Sequence, residues 1–281
     1  MEMEAQTPGD RAIEVTVRII NHKKNGRVSK GTGFFYAYGN LPFLVTNKHV
    51  LADAQEIVFK LFTKDENGNI DYRVMETITL DEDDLIRYSH GHNSKDVDIQ
   101  IVFLDPILQR PRSIPRGVYI RAIVAHDIPD QKTMENLFAV ENIVFIGYPD
   151  GIWDQVNHLP IIRTGTTASL LNKDYDGKPA FLIDASAFPG SSGSPVFILN
   201  NGFFTDRTGS YASHRLLFLG VLSSVFFRPD DCEINIVPIP TATMPVATFN
   251  QMIDLGLVMH ARTVVETIEQ CIDRFKLNLG R

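Results

Sequence analysis

The sequence predicts an all-β fold of two six-stranded antiparallel β-barrels with a C-terminal α-helix. Three observations predict it. Two successive groups of roughly six short apolar runs are each punctuated by turn-forming residues. A proline-bearing stretch between them offers little continuous pairing. The tail then changes from strand to helical period. These features divide the chain into an N-terminal barrel at 10–112, a crossing linker at 113–138, a C-terminal barrel at 139–246 and a helical tail at 247–281.

The first group opens with AIEVTVRII, where Ile13, Val15, Val17 and Ile19 share one face. Gly31 to Tyr38 and Pro42 to Thr46 follow, joined by a Gly-Asn turn. Glu56 to Phe62 and Tyr72 to Leu80 flank TKDENGN, a hairpin signal. Val97 to Leu104 is the last run, and no long helix is expected in this half. The linker holds Pro106, Pro111, Pro115 and Pro129, with one strand expected near Val118 to Val124. The second group comprises Asn142 to Gly147, Ile161 to Leu170, Ala180 to Ala185, Pro195 to Leu199, Leu216 to Val225 and Ile234 to Pro238. In Arg262 to Phe275, Val264, Val265, Ile268, Cys271, Ile272 and Phe275 follow helical spacing, so the tail helix should pack against the body.

The 281 residues are 44% hydrophobic and 22% charged, with eighteen Phe and eight Tyr, enough to fill a large globular core. A net charge of −7, with His22-Lys23-Lys24 as the longest basic cluster, argues against a nucleic-acid partner. No apolar run reaches the roughly 18 residues of a membrane span, so no membrane partner is expected. The acidic start MEMEAQTPGD lacks the apolar segment of a secretory signal. Cys232 and Cys271 allow at most one disulfide. Together these point to a cytoplasmic location.

The segment PGSSGSPVF, residues 189–197, places two glycines and three serines before an apolar strand, more than a turn alone requires. A serine nucleophile there needs a base, and the base needs a partner that holds its tautomer. Of eight histidines, His22, His90, His92, His126, His158 and His214 sit in polar, turn-like stretches. His49 instead ends LVTNKHV, where an apolar run meets a polar turn; it reads equally as a structural histidine or as the base. Asp96 and Asp98, in KDVDIQIVFL, alternate with apolar residues and share a face. Either is costly to bury beside Ile, Val and Phe without a partner such as an imidazole N–H. HGHNSKDVD also carries His-x-His, but no second cluster completes a metal site, and neither metal nor cofactor is expected.

Taken together, GTGFFY with LVTNKHVL, DVDIQIVFL, DASAFPGSSGSPVF and FLGVLSSV resemble the chymotrypsin-like (trypsin-fold) serine proteases, over roughly residues 12–240. The HtrA-like bacterial branch is nearest in flavour: Val50 stands where secreted digestive members carry Cys. With about forty residues left after the barrels, no PDZ module is expected. The resemblance implies His49 as general base, Asp98 as its orienting acid, Ser192 as nucleophile, and the amides of Gly190 and Ser192 as oxyanion hole. It prefers Asp98 to Asp96 because an aliphatic–x–aliphatic run, Ile99-Gln100-Ile101, follows directly. It places Ser186 at the base of the specificity pocket, and starts the substrate-pairing strand at Ser223, with Ser224 and Val225 next. An uncharged Ser186 implies a preference for small to medium apolar side chains. Three departures stand out: Ser194 replaces a second glycine, Gln100 a small residue, and Ser191 the Asp of zymogen-activated members.

The implied activity is serine endopeptidase cleavage through an acyl-enzyme, directed at a protein or peptide substrate, with limited intracellular cleavage of a specific protein as its setting. Two rivals remain. One is a catalytically silent trypsin-fold binding or scaffold module, or a protease latent until a regulatory protein partner orders loops 126–137 and 200–214. The other is an α/β-hydrolase using Ser192, Asp231 and His260, which would require G-x-S-x-G and a helix after the serine. The segment Gly190 to Ser194 reads G-S-S-G-S, and a strand is expected to follow it.

Overall fold

The computed structural model describes residues 7–110, 117–149, 152–233 and 246–275. The first half begins with a short helix, α1 (Pro8–Glu14), then β1 (Thr16–Lys23), β2 (Val28–Tyr38), β3 (Leu41–Thr46), β4 (Ala54–Lys64) and β5 (Ile70–Asp81). Helix α2 (Glu82–Tyr88), β6 (Ser89–Gly91) and β7 (Gln100–Phe103) complete it. The sequence pattern expected a strand from Ala12; a helix ends there instead. Thr7 and Asp10 form a reciprocal capping box and Pro8 pre-sets the first turn, so local capping overrides the alternation.

Among the described residues the first half forms one sheet in the order β5-β4-β1-β2-β3-β7-β6 that does not close on itself, so one closed barrel is seen where two were expected. The reason lies in the β5–β6 connection. Helix α2 runs between these two edge strands and contacts β4, β5, β6 and β7, occupying the seam where closure would pair them. Asp81 caps this helix by accepting the amide of Asp84 at 2.9 Å.

The crossing segment contains α3 (Asp105–Leu108), β8 (Ile123–Val124), which pairs parallel with β2, and α4 (Gln131–Asn136). The second half supplies β9 (Asn142–Gly147), β10 (Ile161–Thr167), β11 (Ala180–Asp184) and β12 (Pro195–Asn200). A small hairpin follows, β13 (Phe204–Asp206) with β14 (Gly209–Tyr211), and then β15 (Arg215–Glu233) and β16 (Val246–His260). Here closure does occur, in the order β10-β11-β16-β15-β12-β9.

The expected strand at Ile234 to Pro238 lies outside the described residues. Residues 247–260, grouped with the tail by the sequence division, belong to β16, between β11 and β15. Over Leu257 to His260 successive positions are buried or half-buried, so this end of the strand carries no clean alternation. Helix α5 (Ala261–Phe275) then buries Val264, Ile268 and Cys271 in a core shared with Phe34, Phe43, Phe197 and Phe218. Phe34 and Phe218 meet edge to face at 5.2 Å, so the two halves share one apolar seam. Among the described residues no helix is long and apolar enough to cross a membrane.

Candidate active site

His49 sits in a single helical turn, Lys48–Val50, directly after β3. The buried strand, with Phe43, Leu44 and Val45 wholly inside, fixes the backbone, and the turn brings the ring out half-exposed. Asp98 lies just before β7 on a segment anchored by the buried Val97 and Ile99. His49 Nδ1–H donates to Asp98 Oδ2 at 2.6 Å, and the His49 backbone amide donates to Oδ1 at 3.3 Å. Ser223 Oγ donates to Oδ2 at 2.8 Å, and Asn47 Nδ2 to the Asp98 carbonyl at 2.7 Å. Burial alone would raise the Asp98 carboxyl. The hydrogen bond and charge of His49, with the Ser223 hydroxyl, outweigh it and hold the group below the usual carboxylate range. The carboxylate thereby fixes the Nδ1–H tautomer and leaves Nε2 as the basic nitrogen. Asp96 is exposed, and its amide donates a local bond to Ser94 Oγ; its carboxylate is not among the partners of the ring.

Ser192 lies across the same cleft. The residues lining that cleft include His49, Asp98, Ser191, Ser192, Leu222, Ser223, Ser224 and Val225, with Ala187, Phe188 and Pro189 forming one wall. The Ser192 hydroxyl donates to the Ser223 carbonyl at 3.2 Å. Ser186 is half-buried and is not among the residues lining the cleft.

The loop that carries Ser192 is held from several sides. Gly190 and Gly193 both have φ of +89°, a region that other residues enter at a cost. At Gly193 a Cβ would also fall 1.9 Å from the Thr32 carbonyl oxygen, so this position excludes any side chain. The Gly193 amide donates to Leu222 O at 2.8 Å, and the Leu222 amide returns a bond to Ser194 O at 2.9 Å. The amides of Gly190 and Ser192 donate to no protein acceptor among the described residues. Two such N–H groups in one tight turn can serve a developing oxyanion.

Sequence reasoning missed Thr32. It is fully buried in β2, and its amide donates to the Ser192 carbonyl at 3.0 Å. Its Oγ1 donates to the Gly190 carbonyl at 2.9 Å and accepts the Tyr148 amide at 3.0 Å. The first half thus grips both ends of the Gly190–Ser192 turn. The one available signal was a hydroxyl residue between two glycines in GTG, which carries no partner information. The role of Ser223 toward Asp98 was also missed, because it joins residues 125 positions apart.

The remaining candidates fall elsewhere. His92 Nε2 lies 3.3 Å from Glu266 Oε2, and His90 Nδ1 lies 3.4 Å from an Arg274 nitrogen, so HGHNS is where α5 docks. No metal-binding group of three His, Cys, Asp or Glu occurs among the described residues. His260 is buried against Phe181 and faces Asp174, and Pro195 starts a strand, so the α/β-hydrolase arrangement does not form.

A fixed imidazole–carboxylate pair, a serine in a glycine-bounded turn and a closed β-barrel define a protein of the trypsin-like serine peptidase class. Residues 31–203 match the family described as trypsin-like peptidase domain, and the chain belongs to that family. The solved structure of the HtrA-type protease AlgW with a tripeptide aligns at a TM-score of 0.50 and 14% identity, covering 95% of this chain and 63% of that one. The serine endoprotease from Yersinia pestis aligns at a TM-score of 0.47 and 14% identity, covering 96% of this chain and 68% of that one. The chain therefore spans just under two thirds of the AlgW chain, and at this identity the likeness concerns fold alone. No curated protein sequence matches.

Proposed function

We propose that this protein is a serine endopeptidase that hydrolyses peptide bonds through Ser192, His49 and Asp98 by way of an acyl-enzyme. The observation that carries the proposal is the 2.6 Å bond from His49 Nδ1 to Asp98, set across one cleft from Ser192. Ser192 Oγ attacks the substrate carbonyl, His49 Nε2 accepts its proton, and the amides of Gly190 and Ser192 receive the oxyanion. His49 then protonates the leaving amine, and water repeats the cycle on the ester. The chemistry is the general serine-protease scheme.

The Ser192 hydroxyl must first leave the Ser223 carbonyl. An extended substrate backbone pairing with Ser223, Ser224 and Val225 supplies the means: a substrate N–H that takes the Ser223 carbonyl frees the hydroxyl to turn toward His49. This parked hydroxyl also favours the second reading, a protease latent until substrate or a regulatory protein partner occupies the cleft. The cleft wall of Ala187, Phe188 and Pro189 carries no charge, which suits small to medium apolar side chains. Cys271 is a free, buried thiol pushed up to about 11 by burial, in keeping with our proposal of a reducing cytoplasm and limited cleavage of a specific intracellular protein. Mapping new protein N-termini in cells carrying wild type or Ser192→Ala tests the activity. Wild-type-specific termini with apolar residues before the cut are expected. Identical profiles would favour the scaffold reading.

A further inference from the structure

A second cavity, away from the cleft, lies against the outer part of the first sheet. Its volume is about 150 Å³. A cavity of that size holds one six-membered ring. Val58 and Phe62, which share one face of β4, line one side. Tyr148 and Trp153, on the chain between β9 and β10, line the other.

The polar groups around this space are not balanced. Arg18 of β1 lies over the Trp153 ring at 5.0 Å, and its Nε is buried with no hydrogen-bond partner. Arg18 forms no ion pair among the described residues. His158 stacks on the same Trp153 ring at 5.3 Å, and its Nδ1 is likewise buried and unpartnered. The carboxylate at the cavity, Glu14, is already engaged by Tyr72 OH at 2.7 Å, Tyr119 OH at 3.1 Å and Arg121 Nε at 3.0 Å. Lys60 adds a further cation to the lining. The unmatched charge is therefore positive, and an unpaired, partly buried guanidinium is costly to maintain.

We propose that this cavity binds a small aromatic carboxylate, with its ring among Val58, Phe62 and Trp153 and its carboxylate on Arg18. A carboxylate satisfies the guanidinium with charge-assisted hydrogen bonds, and His158 offers a second donor at Nδ1. The ring satisfies an apolar space that water fills poorly. The site also touches the catalytic region. The amide of Tyr148 donates to Thr32 Oγ1, the same hydroxyl that holds Gly190. Ligand binding here does not depend on the protease reading.

Trp153 is the only tryptophan in the chain, so its emission reports on this cavity alone. The test is a titration with benzoate, with benzamide as the uncharged control, followed by Trp153 emission and independently by saturation-transfer NMR. Saturable benzoate binding is expected, roughly tenfold or more tighter than benzamide, and weakened at least about tenfold by Arg18→Met. Val58→Phe, which fills the space, is expected to abolish binding and serves if Arg18→Met does not fold. No saturable benzoate binding by either readout, equal binding of benzamide, or binding unchanged in whichever variants fold would overturn the proposal.

Discussion

The first half of the molecule holds its proposed catalytic groups in contact with each other, while the second half holds its proposed nucleophile on a different partner. His49 and Asp98 are joined side chain to side chain and backbone to side chain, with Ser223 and Asn47 completing the carboxylate's surroundings. The Ser192 backbone is equally fixed, by Thr32 and by the paired amides of Gly193 and Leu222. Only its hydroxyl is turned away, onto the Ser223 carbonyl. The difference teaches that the expensive part of preorganisation, the backbone and the base, is built into the fold. The inexpensive part, release of one hydroxyl from a carbonyl, is what our proposal leaves to substrate.

The comparison breaks most sharply at Asp98. Asp98→Asn forfeits the tautomer control and is expected to slow fluorophosphonate labelling of Ser192 by about 10³- to 10⁴-fold. Asp96→Asn, which alters an exposed side chain, should leave the rate within about twofold. Equal losses from both would show that the carboxylate assignment is wrong.

Thr32→Val sharpens the contrast from the other side. It removes the hydroxyl between Gly190 and Tyr148 and leaves the Tyr148 amide unpaired, at a cost of about 1–3 kcal/mol in urea unfolding. Labelling of Ser192 should fall roughly 10- to 100-fold as the turn loosens. Thr32→Ser should restore both. A valine variant that labels at the wild-type rate would remove Thr32 from the account.

Much of this comparison was legible in the sequence, and what was not has physical reasons. The linear segments around His49, Asp98 and Ser192 are each short, each tied to a strand or turn, and each readable by residue type. The closed barrel of the second half was readable in outline because β9 to β12 alternate or run apolar between strong turn signals. The open sheet was not, because nothing in EDDLIRY announces that a two-turn helix will fill a seam between strands. Strand β16 was missed because its end, Leu257 to His260, is buried or half-buried at successive positions and so shows no period of two. The Thr32 contacts, the Ser223–Asp98 bond and the Arg18–Trp153 contact were invisible, since each depends on pairs brought together only by the tertiary fold.

A smaller effect concerns Ser223. Ser223→Ala removes one of the donors to Asp98 and should slow labelling by about tenfold, since His49 still holds the carboxylate. Loss as large as that of Asp98→Asn would make Ser223, not His49, the main support of the acid.

The last expected effect is on stability against pH, and it arises outside the cleft. Burial, reinforced by Arg262, lowers His260 to about 4 despite the opposing charge of Asp174. The folded chain thus keeps His260 neutral in a range where the unfolded chain protonates it. Stability should be constant with respect to this group above about pH 6.5 and fall progressively down to about pH 4, by about 3 kcal/mol in all. Urea midpoints measured across that range should decline less steeply in His260→Phe than in wild type. Parallel slopes would show that His260 does not carry the effect.

The most direct measurement is the site and rate of fluorophosphonate labelling in purified wild type, Ser192→Ala and His49→Ala, read by peptide mapping. The account predicts a single adduct on Ser192, absent in Ser192→Ala and slowed at least about 10³-fold in His49→Ala. An adduct on another residue, or equal labelling of Ser192 with and without the His49 imidazole, would contradict it.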